Sequence, residues 1–187
     1  MSTLYIIDQT FTNRNSIEKG EYENCTFVGC DFSEGNLSGF KFIDCTFKEC
    51  NLSLVNLTQT VFREVQFLEC KLLGLRFDDC HDFGLSFSFQ SCQLIHSSFY
   101  KMKLKKTVFK ECQMVGVDFS EADLSGAFFD HCELHDAVFV QTNLEEADFR
   151  SAYGFEIDPE QNRIKSAKFS LYGIPGLLSK YGINIEK

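Results

Sequence analysis

Apolar residues recur at every fifth position through most of this chain. The centres run Phe27, Phe32, Leu37, Phe42, Phe47, Leu52, Leu57, Phe62, Phe67, Leu72 and Phe77. They resume at Phe89 and continue through Leu94, Phe99, Leu104, Phe109, Met114, Phe119, Leu124, Phe129, Leu134, Phe139, Leu144 and Phe149. A second small or apolar residue sits two positions before each centre, and polar residues mostly fill the other three. A period of five matches neither the 3.6 of a helix nor the 2.0 of a strand. It fits a four-sided coil with one side per five residues. Two side chains per side point inward, and three meet water and form the corner. Successive turns then lie about 4.8 Å apart, the spacing of hydrogen-bonded strands.

The twenty-residue columns sharpen this reading. One column is Phe throughout: Phe27, Phe47, Phe67, Phe89, Phe109, Phe129, Phe149, Phe169. We number this side 1 and the next three 2, 3 and 4. Side 3 reads Leu37, Leu57, Phe77, Phe99, Phe119, Phe139; side 4 reads Phe42, Phe62, a gap, Leu104, Leu124, Leu144, Ile164. Twelve residues separate Phe77 from Phe89 where ten would keep phase, so a two-residue insertion and a bulge are expected within Asp79–Ser88. Residues 1–21 are poorly periodic and read as a cap over the first coil, residues 22–169 as the coil, and residues 170–187 as a separate C-terminal segment. In that segment Ile174 to Gly182 has Pro175 near its start and Gly182 at its end, which predicts a short helix; Ile183–Ile185 predicts a short strand. The open end of a solenoid carrying an apolar helix suits a two-fold interface, here assigned to Ile174, Leu177, Leu178, Tyr181, Ile183 and Ile185. The alternative is a monomeric end cap.

Composition changes the picture in three ways. First, 21 Phe with no Trp and two Pro is an ordered, aromatic-cored composition. No apolar run approaches the ~18 residues of a membrane span. The first residues lack a basic region and a cleavage site, so a cytoplasmic protein is expected. Second, a net charge of −9 opposes direct nucleic-acid binding, which needs a basic footprint. Third, the nine cysteines (Cys25, Cys30, Cys45, Cys50, Cys70, Cys80, Cys92, Cys112, Cys132) share the inward slot two before a centre, and six form one column on side 2. Their side chains run parallel rather than converging, so packing as reduced thiols is expected, with no metal and no cofactor. Cys80-His81-Asp82 is a consecutive run whose side chains diverge, unlike a catalytic triad. His131 and His135 fall on outward slots, and Gly29, Gly39, Gly74, Gly116 and Gly126 fall on corners where φ is positive in some turns. No pocket and no convergent titratable set point to an enzyme.

Charge is the informative surface feature. Lys101, Lys103, Lys105, Lys106 and Lys110 form a basic band. From Glu111 to Glu160 there are thirteen acids and one base, Arg150. At strand spacing those residues occupy about 12 Å of rod. The local density rivals that of duplex DNA, one charge per ~1.7 Å. Asp118, Glu121, Asp123, Asp130, Glu133, Asp136, Glu145, Glu146 and Asp148 are the candidate partner-binding residues. A solvated surface that serves solubility is the competing reading.

The pattern resembles the pentapeptide repeat family from about Tyr22 to Phe169. Ala122-Asp-Leu-Ser-Gly126 and Asn36-Leu-Ser-Gly39 are close to its consensus unit. Glu23-Asn-Cys-Thr-Phe-Val-Gly-Cys-Asp-Phe-Ser33, with Phe42-Ile-Asp-Cys45, is similar to its quinolone-resistance (Qnr) branch. The resemblance implies an all-β solenoid, a right-handed quadrilateral β-helix. It also implies a homodimer joined through the C-terminal segment and a DNA-mimicking role against DNA gyrase or topoisomerase IV. The chain lacks the two projecting loops of Gram-negative Qnr proteins: residues 45–52 and 89–149 run without insertion. That puts drug protection in doubt, while the resemblance still implies topoisomerase binding, since the loop-free mycobacterial relative acts on gyrase without such loops. The alternative is a protein–protein scaffold with no topoisomerase partner, using Leu68, Leu73, Ile95 and Val115 as a lateral apolar stripe.

Overall fold

A computed structural model describes residues 4–186. Residues 1–3 of the expected cap and Lys187 lie outside the described residues. The chain forms a parallel β-solenoid. On side 4, β1 (Leu4–Ile7), β3 (Gly20–Glu23), β5 (Lys41–Ile43) and β7 (Val61–Arg63) stack in one parallel sheet. On side 1, β2 (Thr10–Thr12), β4 (Thr26–Val28), β6 (Thr46–Lys48), β8 (Val65–Leu68), β9 (Phe87–Gln90), β10 (Val108–Lys110) and β11 (Phe128–Asp130) form a second. The register of that sheet is the Phe column itself: Phe27 pairs with Phe47, Phe47 with Phe67, Phe67 with Phe89, Phe89 with Phe109 and Phe109 with Phe129.

Sides 2 and 3 carry single bridges instead of strands, such as Asn51–Lys71 and Ser98–Asp118. The residue just before each centre contributes to the form a side takes. Thr26, Thr46, Val61, Val108 and Phe128 stand there in strands. Where that residue is Asn or Asp, its side-chain oxygen accepts the N–H two residues on and folds the side into a turn. Asp31 does this to Ser33 at 3.0 Å, Asn36 to Ser38 at 2.9 Å and Asn56 to Thr58 at 2.9 Å.

The interior is aromatic. Along the side 1 column from Phe27 to Phe169, successive rings lie nearly parallel at 4.5–5.4 Å. The side 3 column meets it edge-on, as at Phe109–Phe119, 6.0 Å and 76°. Both arrangements suit the ring quadrupole, and each pair adds about 0.5–1.5 kcal/mol beyond burial. The slot two before each centre holds small residues for a second reason besides size. There the Cys45, Cys50, Cys70, Cys92 and Cys132 thiols donate to a carbonyl of the previous turn at 3.3–3.4 Å. Thr60, Ser97 and Thr142 do the same at 2.7, 2.6 and 2.9 Å. All nine cysteines are free and buried.

Every corner residue two after a centre, from Asp8 to Glu146, is left-handed apart from the stretches around Asp79 and the phase break. Gly39, Gly74 and Gly126 sit there at φ 68°, 63° and 67°, but so do Glu34, Leu54, Lys106 and Asp136 at 55–58°. The corner geometry is therefore general, and glycine is one way of meeting it.

The phase break is narrower than its expected limits. His81 N–H still bonds Thr60 O in the old register, and Val65 N–H bonds Ser86 O in the new one. Residues 82–85 bow outward between them, with Phe83 exposed and the Arg63 guanidinium 5.4 Å from its ring. Below the break, side 4 has bridges and no strands.

The two ends depart from the sequence reading. The N-terminal segment is a coil in its own right: Leu4 pairs with Gly20 and Phe11 with Phe27, an offset of sixteen. Phe11 continues the ring stack onto Phe27 at 5.0 Å. A turn four residues short hides this coil from a twenty-residue pattern. At the other end, α1 (Ile174–Leu178) is flanked by single 3-10 turns at Leu171–Gly173 and Ser179–Tyr181, and left-handed Gly182 (φ 58°) closes it. The strand expected at Ile183–Ile185 does not form; those residues are exposed and unpaired among the described residues. A strand needs a neighbour, and none reaches this end.

Candidate functional site

The nine acids predicted to meet a partner do not share one face. Asp118 and Glu121 lie on side 3 and its corner, Asp123, Glu145 and Glu146 on side 4 and its corner, Asp130 and Asp148 on side 1, and Glu133 and Asp136 on side 2 and its corner. Three of them also shape the backbone. Asp118, Asp123 and Asp148 occupy the turn-forming position and accept the N–H of Ser120, Ser125 and Arg150 at 2.8, 3.1 and 3.1 Å. Composition alone did not separate these structural carboxylates from free ones; the Asp-x-Ser spacing at 118–120 and 123–125 was the available signal.

Six of the nine already have a cation or imidazole beside them. Lys101 lies 3.4 Å from Glu121, Lys105 3.3 Å from Asp123, Arg163 2.9 Å from Glu145 and Arg150 2.7 Å from Asp148. His131 and His135 contact Asp130 and Glu133 at 2.7 and 3.3 Å. Arg150 hydrogen bonds hold the Asp148 carboxyl below its ordinary value, against the opposing effect of burial. For Asp123, burial acts upward, and the Ser125 and Lys105 bonds outweigh it. Among the described residues, Asp118, Asp136 and Glu146 have no ion-pair partner.

The residues assigned to a two-fold interface divide into two sets. Leu177 packs against the core and so anchors the helix to the coil, and Leu178 is half-buried. Ile174, Tyr181, Ile183 and Ile185 are 39–55% exposed, and the sequence reading missed Leu171 and Tyr172, which are 89% and 93% exposed. The lateral stripe at Leu68, Leu73, Ile95 and Val115 is half-buried; exposed apolar side chains instead project at Val108, Phe128, Val138 and Val140.

Cys80 lies in the core, where burial and then Asp79 and Asp78 raise its thiol far above the usual range. Burial pushes Cys45 up to about 11. The His81 ring accepts the Phe83 N–H at 3.2 Å and so is turned to its own loop. Among the described residues no group of three or more His, Cys, Asp and Glu could hold a metal ion, and no helix is long and apolar enough to cross a membrane.

A family model described as pentapeptide repeat region matches residues 21–87 and 85–153. Among solved structures, the chain is similar to QnrB1, a plasmid-mediated fluoroquinolone resistance protein, at 21% identity and TM-score 0.60, covering 98% of each chain. It is also similar to HetL of the cyanobacterium Nostoc, a pentapeptide repeat protein involved in heterocyst differentiation regulation. That match has 16% identity and TM-score 0.46, and covers 90% of this chain and 88% of the other. No curated protein matches.

Proposed function

The chain belongs to the pentapeptide repeat family, and we propose that it is a non-enzymatic, dimeric, cytoplasmic mimic of duplex DNA that binds a type II topoisomerase, DNA gyrase or topoisomerase IV. One observation carries this reading: thirteen acids and one base between Glu111 and Glu160 on about two and a half turns of a narrow rod. Eight of the nine candidates among them are exposed or half-buried on the outside of the coil, and Asp148 is buried at 8% exposure. Their ion pairs lower the field but do not remove the site. Glu121 and Glu145 are 39% and 32% exposed, and their pairs are of the exposed kind, worth about 0–1 kcal/mol. Cations of a partner can displace such pairs. A two-fold through the exposed apolar residues of 171–185 would join two acidic segments at the middle of a longer rod.

The test is charge reversal at corner positions, where the coil already accepts lysine at Lys101 and Lys106. Glu121→Lys, Asp136→Lys and Glu146→Lys together should leave the far-UV spectrum unchanged. They should weaken inhibition of gyrase supercoiling at least tenfold and flatten its salt dependence. Equal inhibition by native and reversed protein sinks the electrostatic reading.

Exposed Val138 and Val140 on side 3 favour a second reading, a scaffold with no topoisomerase partner, because apolar patches have no place on a DNA mimic. Recovery of gyrase or topoisomerase IV subunits on the immobilised protein supports the first reading; recovery of other proteins only supports the second.

A further inference from the structure

A groove runs along the coil axis at the corner between sides 4 and 1. It has two causes. The phase break loops one rung of side 4 out of the stack, opening a cavity of about 540 Å³ bounded by Leu85–Ser88 above and Lys103–Val108 below. One turn below Lys106, Gly126 puts no side chain on the corner, and a second cavity of about 550 Å³ shares Lys106 and Val108 with the first and continues to Lys168. The floor is apolar: Val108 and Phe128 are 42% and 37% exposed and are paired neighbours across β10 and β11. The wall is cationic. Lys103, Lys105 and Lys106 occupy all three outward positions of a single side.

These lysines are not equivalent. Lys105 leans on Asp123 at 3.3 Å, whereas Lys103 and Lys106 have no ion pair among the described residues. The backbone is also open here. The N–H of Asp123 donates to Met102 O at 2.8 Å, but the matching N–H of Lys103, one turn above, has no backbone acceptor among the described residues, because the rung it would meet is the looped one.

We infer that this groove docks a short, extended acidic segment of a partner protein. Its carboxylates lie over Lys103 and Lys106, and an apolar side chain rests on Val108 and Phe128. From the Lys106 rung to the Lys168 rung is about 14 Å at strand spacing, the length of about four extended residues. The observations favour a peptide over a nucleic acid. Asp44 and Glu64 at one end and Glu146 at the other interrupt the positive track, and a polyanion needs it continuous. The inference does not rest on the topoisomerase reading: its charges are of opposite sign, and the two surfaces share Glu146 at the groove's far end.

The experiment is fluorescence anisotropy of the full chain with a fluorescein-labelled octapeptide alternating aspartate with phenylalanine. Saturable binding is expected. Lys103→Glu with Lys106→Glu should weaken it at least tenfold, and Phe128→Ser should weaken it several-fold. The same peptide with asparagine for aspartate should bind at least tenfold less tightly. The Lys106 column carries Glu64 and Glu146 at the same left-handed corner, so the double variant is expected to fold, which circular dichroism checks. No binding at millimolar peptide overturns the inference. So does equal binding by native and double-variant protein, or by the amide peptide. Displacement of the peptide by a duplex oligonucleotide at lower concentration than by unlabelled peptide would assign the groove to nucleic acid instead.

Discussion

Phe109→Ala tests the architecture at its centre. The Phe109 ring is fully buried, stacked between Phe89 at 5.3 Å and Phe129 at 5.1 Å, and met edge-on by Phe99 and Phe119 at 6.0 Å. Truncating a buried Phe costs about 3–5 kcal/mol, and the cost depends on how far the site can collapse. Here collapse is blocked, because hydrogen bonds hold the rungs above and below at a fixed spacing. The ring pairs lost are worth about 0.5–1.5 kcal/mol each. The expectation is therefore the upper part of that range, about 4–5 kcal/mol. Phe128→Ala is the control: on the neighbouring strand β11, next to Phe129, outward and 37% exposed, it should cost less than about 1 kcal/mol. The assay is equilibrium urea unfolding followed by far-UV circular dichroism, since the chain has no Trp to report by fluorescence. Because each turn contacts only its neighbours, the central variant should also broaden or split the transition. Equal effects of the two substitutions would refute the inward assignment of the column, and with it the four-sided coil.

The other predictions concern assembly and pH. Ile183→Asp with Ile185→Asp, at residues 55% and 51% exposed, should leave the coil folded and convert dimers to monomers in light scattering; an unchanged dimer would remove these residues from the interface. Arg150→Ala should release the Asp148 carboxyl toward its ordinary value. Because Arg150 holds that carboxyl down in the folded state, its contribution to stability is present above the unfolded value of about 3.9 and is lost as pH falls through the folded one. The difference in urea midpoint between native protein and Arg150→Ala should therefore be largest above about pH 4 and shrink on acidification; a difference independent of pH would show that Arg150 acts through packing alone.

The sequence by itself determined the coil. A five-residue beat sorted Phe into one column and thiols into another, and each position's direction followed from the beat. Inward residues from Tyr22 to Phe149 were legible because burial acts on one side chain at a time and leaves its mark in composition. What depends on neighbours was not legible. The first coil was hidden because Leu4–Gly20 closes in sixteen residues, and only pairing with β3 and β4 reveals it. The Ile183–Ile185 strand was predicted from alternation, but alternation cannot supply a partner strand. The five-residue beat already wraps the acidic run around several faces, so only a fraction of it can meet any one partner. The fold tied Asp118, Asp123 and Asp148 to their own backbones and set lysines or arginines one turn away against Glu121, Asp123 and Glu145. Charge acts through space, and in a coil the nearest neighbours in space are about twenty residues away in the chain. Local pattern thus specified the core, and the stacking of turns decided which charges and apolar groups are left for a partner.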